Sequence, residues 1–144
     1  MNTSNGKVLA LDWGDVRCGW AISDPSQTLA GQSGVYERVT LATDLDFIDT
    51  LVRTEGVSEV VVGIPYNMDG SIGPQAELTL NFKSTLQQAL NVPVYDIDER
   101  LTSAEAERVM LEGGLSRKRR KEKRDALAAV LILQTYLDRK RKRS

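Results

Sequence analysis

The spacing of apolar residues changes once along this 144-residue chain, and this change constrains the fold more than any other feature. Between residues 7 and 38, apolar residues form a short run or recur at every second position, as they do in strands. The turn sequences Gly14-Asp15 and Asp24-Pro25-Ser26 separate these segments. Three strands joined by such short turns predict an antiparallel meander.

Beyond the meander, helix and strand patterns alternate. Apolar residues at helical spacing predict a helix that ends at Gly56, and a buried strand follows at 58–64. An amphipathic helix that begins near Pro74 precedes another strand at 92–98. Strand–helix–strand connections place strands parallel. The sequence therefore predicts one α/β domain over residues 1–144, with a mixed sheet of a meander followed by parallel βαβ strands, flanked by helices.

Two further helices are predicted near the end of the chain. Thr102 and Glu105 fit a capping box for a helix that stops at Gly113-Gly114. The last helix is predicted from Asp125 to about Leu137, and its apolar side chains on all sides indicate that it is buried.

Positive charge is concentrated at the end of the chain. The net charge of −1 conceals 7 Lys and Arg against 17 Asp and Glu in residues 1–116, and 12 against 3 in residues 117–144. Because blocks of like charge repel one another, we expect a mobile basic loop near 114–124 and a basic C-terminal tail at 138–144. Both suit a polyanion such as nucleic acid, although solvated surface charge would explain them as well.

Histidine is absent and Cys18 is the single cysteine. An internal disulfide, a multi-cysteine zinc site and a nucleophile activated by histidine are therefore excluded. No apolar run approaches the roughly 18 residues of a membrane span, and the N-terminus lacks signal-peptide features. We expect a cytoplasmic protein without membrane association, whose chemistry uses carboxylates, Lys, Arg, hydroxyls or a hard metal ion.

Three acids occupy positions where burying a charge is costly. Asp12 ends the first strand, Glu99 follows the last strand, and Asp125 begins the buried final helix. Parallel strands share one carboxyl edge, where α/β sheets usually bind ligands, and we expect the acids to converge there. Converging carboxylates need a neutralising cation, and Mg²⁺ or Mn²⁺ is the hard-ion choice. Such ions can activate water and stabilise charge on a phosphate under in-line attack.

Each acid also has a purely structural explanation. Asp12 could cap the turn at Gly14, and Glu99 could pair with Arg100. Asp125 could be an N-cap or a first-turn acid favoured by the helix dipole.

Several sequence blocks resemble the YqgF family of bacterial proteins. Residues 9–14 (Leu-Ala-Leu-Asp-Trp-Gly) and 17–24 resemble its opening motif. Three further blocks agree in the same order, at 62–71, at 98–103, and at 125–129 together with Leu133-Gln134, so the resemblance extends from about residue 7 to 137. Members of this family are described as Holliday junction resolvases and as nucleases for the 5′ end of pre-16S ribosomal RNA.

The resemblance implies a ribonuclease H-like fold and metal-dependent cleavage of nucleic acid. It also implies that Asp12, Glu99 and Asp125 are the catalytic, metal-binding residues. Arg17 and Arg100 lie next to acids and could hold substrate phosphates, although surface ion pairing explains each of them equally well. We expect the basic loop to bind the nucleic-acid backbone through Arg117, Lys118, Arg119, Arg120, Lys121, Lys123 and Arg124.

The chain departs from the family pattern at two positions. Val16 stands where a basic residue is usual, which weakens the case for a phosphate contact at that turn. Arg124 stands where an apolar residue is usual, which adds positive charge beside Asp125.

Three functions fit these features. The first is a nuclease that processes pre-16S rRNA in ribosome biogenesis, the second a resolvase of branched DNA, and the third a non-catalytic rRNA-binding assembly factor. An ATPase of the actin and sugar-kinase type is disfavoured, because those proteins enclose a nucleotide between two lobes and this chain supplies one. Both a monomer and a homodimer are compatible with the sequence.

Overall fold

The computed structural model of the protein describes residues 6–102 and 126–142. The first half contains β1 (Lys7–Trp13), β2 (Arg17–Ser23), β3 (Ala30–Glu37) and α1 (Leu41–Glu55). The second half contains β4 (Val57–Ile64), α2 (Pro74–Ala89), β5 (Val94–Asp98) and α3 (Leu127–Lys142). A short 3₁₀ turn, Glu99–Leu101, directly follows β5.

The strands form one 5-stranded mixed sheet in the order β3-β2-β1-β4-β5. β1 pairs antiparallel with β2, which pairs antiparallel with β3. On its other side β1 pairs parallel with β4, which pairs parallel with β5. The predicted meander followed by parallel strands is therefore confirmed, and β1 joins the two parts of the sheet.

Helices cover both faces of the sheet. On one face, Leu9 and Leu11 of β1 belong to a core built with α1 and α2. On the other face, Val8 and Ala10 belong to a core built with α3. Because β1 is buried on both sides, its sequence is a continuous apolar run rather than an alternating one.

The helix ends follow local chemistry. Thr40 caps α1 by accepting a hydrogen bond from the Thr43 amide, and Gly56 ends that helix in the left-handed region at φ 68°. Pro74 opens α2, where its missing N–H carries no cost. Both predicted landmarks, Gly56 and Pro74, are therefore confirmed. The helix predicted from Thr102 lies outside the described residues.

The last helix differs from its prediction in two ways. It extends to Lys142, beyond the predicted end at Leu137. Basic side chains in its last turn interact favourably with the helix dipole, and two of them form ion pairs. Lys140 pairs with Glu59 on β4, and Arg141 pairs with Asp138 one turn earlier. The helix is also not buried all round, since Ala128 faces solvent.

A buried acid ties the start of α1 to the turn between β1 and β2. The side chain of Asp44 is 1% exposed and accepts hydrogen bonds from Arg38 Nε (3.1 Å) and the Val39 amide (2.9 Å). Arg38 Nη1 donates to the carbonyl of Gly14 at 2.7 Å. A charge this deeply buried is stable only when it is paired in this way, so the turn after β1 is held in place.

The same arginine covers the end of β1. Its guanidinium lies 3.9 Å from the centroid of the Trp13 ring. The Trp13 ring also stacks on Phe82 of α2, with centroids 3.6 Å apart. Trp13 is therefore packed between two side chains of the protein, and these contacts fix the strand next to Asp12.

Among residues 6–102 and 126–142, none of the helices combines the length and the apolar character that crossing a lipid bilayer requires.

Candidate active site

The sheet brings two of the three predicted acids together. Asp12 lies near the carboxyl end of β1, and Glu99 directly follows β5. Both strands run parallel to β4, which lies between them, so their carboxyl ends share one edge. The two carboxyl groups lie within hydrogen-bonding reach of each other across β4. We call Asp12 and Glu99 the acidic pair.

The third predicted acid, Asp125, lies outside the described residues, and so does the basic loop that precedes it. The described chain resumes at Ala126, which is buried, and α3 starts one residue later. A Cβ on Gly19, which is paired with Asp12 across β1 and β2, would lie 3.5 Å from Ala129 Cβ and 3.6 Å from Asp12 Cβ. The first turn of α3 is therefore a close neighbour of Asp12.

Burial makes the acidic pair reluctant to ionise. It raises the pKa of Glu99 to about 7, and the nearby charge of Asp12 adds to this effect. Burial also raises the pKa of Asp12, although its hydrogen bond with Glu99 acts in the opposite direction. Two desolvated carboxyl groups in contact require either a proton or a cation between them.

The neighbouring acid, Asp98, behaves in the opposite way. Arg100 binds both oxygens of the Asp98 carboxylate, with Nη2 at 2.6 Å and Nε at 3.0 Å from Oδ2. These hydrogen bonds lower the pKa of Asp98. Asp98 is thus ionised and paired within the protein, whereas Glu99, one residue further along, forms no ion pair with any described residue.

Arg100 also holds the loop that follows β4. Its Nη1 donates to the carbonyl of Met68 at 3.1 Å. Within this loop, the Asp69 carboxylate accepts hydrogen bonds from the amide and hydroxyl of Ser71, which makes a compact turn. Arg100 therefore forms an ion pair within the protein, as one of the two sequence interpretations expected. Arg17, the other arginine considered for phosphate binding, is exposed at the start of β2.

Gly63 on β4 leaves the space through which Glu99 reaches Asp12. A Cβ at this position would lie 2.9 Å from both Cγ and Oε1 of Glu99, and 2.4 Å from Ile132 Cδ1 on α3. No side chain can occupy this position without moving a neighbour. Sequence reasoning missed Gly63, although an isolated glycine in a buried strand is typical of a close approach.

The fold and the acidic pair together define a class of protein. A mixed sheet of order β3-β2-β1-β4-β5, with helices on both faces and acids at the carboxyl edge of its parallel strands, is the ribonuclease H-like arrangement. The family model described as "RuvX: Holliday junction resolvase" matches residues 6–139, and the chain belongs to this family. The resemblance drawn from the sequence motifs is thereby confirmed, and the chain is a member of a family of phosphodiester hydrolases.

Similar proteins cover almost the whole chain. A relative from Syntrophomonas wolfei is 47% identical over 132 residues, which are 92% of this chain and 94% of the relative. One from Roseiflexus is 40% identical over 141 residues, covering 98% of this chain and all of the relative. Both carry the name "Putative pre-16S rRNA nuclease".

A solved structure shows the same fold at low sequence identity. RuvC from Thermus thermophilus, in complex with a Holliday junction substrate, superposes with a TM-score of 0.70 at 14% identity. The superposition covers 96% of this chain and 97% of that chain. At this identity the likeness is one of fold.

A nuclease of this fold implies a divalent metal ion, and the acidic pair fits one. Its carboxylate oxygens are the hard donors that such ions prefer, and a cation would remove the repulsion between them. Within the described residues there is no group of three or more potential metal ligands, so the pair supplies only part of a ligand set.

A methyl group at Gly63 should disturb both the packing and the acidic pair. We expect Gly63→Ala to lower the free energy of unfolding by about 1–3 kcal/mol, because the added methyl overpacks the site, and to abolish stabilisation by Mn²⁺. Removing Cδ1 with Ile132→Val relieves the contact with α3 but leaves the contact with Glu99. The double variant should therefore regain stability without regaining the response to Mn²⁺, as measured by urea and thermal denaturation.

Gly19→Ala is the matched control, since its methyl would meet Ala129 and Asp12 at the ordinary contact distances of 3.5 and 3.6 Å. It should keep the response to Mn²⁺. A double variant of Gly63 and Ile132 that is stabilised by Mn²⁺ as strongly as the parent would contradict the role assigned to Gly63.

The raised pKa of Glu99 should make the stability of the protein depend on pH. In the folded, metal-free protein Glu99 keeps its proton up to about pH 7, whereas in the unfolded chain it loses it near the ordinary pKa of 4.5. The folded state binds more protons between these values, so the free energy of unfolding falls as the pH rises through this range. We expect Glu99→Gln to exceed the parent in stability above about pH 8 by about 1 kcal/mol, a value reduced for the partial exposure of the carboxyl.

Urea denaturation in a chelating buffer measures this difference, which should vanish below about pH 4, where Glu99 is protonated in both states. Glu37→Gln, exposed at the end of β3, serves as the control and should change stability by less than about 0.5 kcal/mol. If Glu99→Gln and the parent were equally stable at every pH, the acidic pair would not be desolvated.

Proposed function

We propose that the protein is a divalent-metal-dependent nuclease whose substrate is structured nucleic acid, and in particular the 5′ end of pre-16S rRNA. The observation that carries the proposal is the meeting of two desolvated carboxyl groups, Asp12 and Glu99, at the carboxyl edge of the sheet. The RNA substrate is supported by the relatives that carry a pre-16S rRNA nuclease name and match over most of the chain.

In this proposal Asp12, Glu99 and Asp125 hold Mg²⁺ or Mn²⁺. When bound, the ion acidifies a water molecule and stabilises the charge that develops on the scissile phosphate. The protein contributes a rigid edge: β1 and β5 fix the positions of Asp12 and Glu99, and Arg38 fixes the turn after β1. Asp125 directly precedes Ala126 in the sequence, and Ala126 is buried one residue before α3 begins.

Basic residues hold the substrate in the same proposal. The exposed Arg17 and the loop residues before Asp125 neutralise backbone phosphates. The loop residues are Arg117, Lys118, Arg119, Arg120, Lys121, Lys123 and Arg124. Arg100 acts on the substrate indirectly, through the loop it holds at Met68, unless it exchanges Asp98 for a phosphate.

A Holliday junction resolvase is the second candidate. The description of the matching family and the likeness in fold to a junction-bound RuvC favour it. A four-way junction has two-fold symmetry, so its resolution requires two symmetric active sites in a dimer.

We expect cleavage to depend on the acidic pair and on a divalent ion. Asp12→Asn and Glu99→Gln should each lower the rate of cleavage by about 10²-fold or more, because each removes a ligand of an ion worth several kcal/mol to the transition state. The rate is measured on a labelled pre-16S 5′ fragment with Mg²⁺, with Mn²⁺ and with chelator. Asp46→Asn, on the exposed side of α1, is the matched control and should cleave like the parent.

A four-way DNA junction in the same assay separates the two candidates. Faster cleavage of the RNA supports the proposal, whereas symmetric cleavage of the junction by a dimer supports resolution. If Asp12→Asn cut either substrate as fast as the parent, the catalytic assignment would be wrong.

A further inference from the structure

A groove with a different character lies beside β5. Its volume is about 350 Å³, and it runs between this edge strand and the last turns of α3. Tyr95 and Ile97 line it from β5, while Tyr136 and Arg139 line it from α3. Pockets of this size are typical of ligand sites. We call it the β5 groove.

Two tyrosines give the β5 groove aromatic surfaces. The rings of Tyr95 and Tyr136 are nearly parallel, with an angle of 24° between planes and centroids 6.4 Å apart. Tyr95 is 46% exposed although it lies on the sheet. An exposed aromatic ring beside a second, nearly parallel one is a stacking surface for a planar ligand such as a nucleobase.

The charges of the β5 groove favour an anion. Its two acids are already neutralised, because Asp96 pairs with Lys83 at 2.6 Å and Glu59 pairs with Lys140. Arg139 is exposed, and within residues 6–102 and 126–142 it forms no ion pair. Its positive charge reaches Asp98, whose pKa it helps to lower. Among the described residues, the groove therefore contains a cation without a carboxylate partner beside its two tyrosines.

The β5 groove is lined by the strand that leads to Glu99. Tyr95, Ile97 and Glu99 alternate along one segment, and Ile97 belongs to the core on the α3 side of the sheet. At about 3.3 Å per residue of strand, Tyr95 and Glu99 are at most about 13 Å apart, since Glu99 begins the 3₁₀ turn. A single strand with 3.4 Å per stacked nucleotide spans that distance with about four nucleotides, and an extended strand needs fewer.

We propose that the β5 groove binds a single-stranded segment of the nucleic acid, with an unpaired base stacked on Tyr95 and Tyr136 and a neighbouring phosphate on Arg139. This inference rests on the proposed nuclease function and adds a substrate requirement to it. A base that is paired and stacked in a duplex cannot lie against a tyrosine ring, so the groove selects for an unpaired flank beside the cleavage site.

The test measures binding without cleavage. The full chain is titrated in a chelating buffer with short single-stranded RNA that carries 2-aminopurine at successive positions, and binding is followed by anisotropy and by quenching of the probe. Single-stranded DNA of the same sequence and the corresponding duplexes are the comparison arms. We expect strongest quenching at one position, and weaker binding of both duplexes than of the single strands.

Substitutions then assign the effect to the groove. Tyr95→Ala should weaken single-strand binding by about tenfold or more and remove the quenching maximum, whereas Tyr95→Phe keeps both, because stacking needs only the ring. Arg139→Gln should reduce the slope of log affinity against log salt by about 0.7, the value for one phosphate of a single strand. Leu78→Ala and Arg53→Gln, exposed on the helices of the opposite face, are the matched controls.

Failure of this inference is distinguishable from failure of the nuclease proposal. If Tyr95→Ala binds single strands like the parent, or if the parent binds none of the probes, the groove is not a binding subsite. If Tyr95→Ala weakens binding but the parent cleaves nothing with Mg²⁺ or Mn²⁺, the subsite stands and the nuclease proposal falls. An equal loss of affinity for the duplexes would contradict the requirement for an unpaired base.

Discussion

The carboxyl groups of Asp12 and Glu99 approach each other next to Gly63, which has no side chain. The order of the strands in the sheet makes this approach possible. Asp12 comes from β1 and Glu99 from the end of β5, and the strand between them contributes Gly63 at the crossing point. Burial opposes ionisation of both groups. Burying these two carboxyl groups therefore destabilises the folded protein at the position where a cation would bind. Such local destabilisation is typical of functional sites.

The surrounding structure keeps this costly contact in place. The pairing of Asp44 with Arg38 fixes the turn after β1, and Arg38 covers Trp13 at the end of that strand. On the other side, Arg100 binds Asp98 and the loop after β4. Salt bridges of this kind matter here for position more than for stability, because they flank the acidic pair on both sides.

Much of the fold could be predicted from local patterns in the sequence. The alternation of strand residues, Gly56 at a left-handed helix end and Pro74 in a first turn each depend on neighbours in the chain, and each was predictable. The face on which Asp12 lies followed from strand alternation with Val8 and Ala10. The end of α3 was not predictable, because Lys140 is held by Glu59, which is distant in sequence.

The site was predictable only where a residue type was unusual for its place. Asp12 and Glu99 end apolar strands and therefore attracted attention, whereas the need for Gly63 arises from Ile132 and Glu99, which come from other elements. The β5 groove depends on Tyr95 and Tyr136, which no local pattern relates to each other. Contacts between distant segments set the finer geometry, and these require the structure.

We propose that Asp12 and Glu99 share a divalent cation with Asp125. Crystals soaked in Mn²⁺ and measured near the manganese absorption edge test it most directly. We expect an anomalous peak at bonding distance from oxygen atoms of Asp12, Glu99 and Asp125, and we expect this peak to be lost in crystals of Asp12→Asn. A peak bound elsewhere, or carboxyl groups of Asp12 and Glu99 that hold no ion at saturating Mn²⁺, would contradict it.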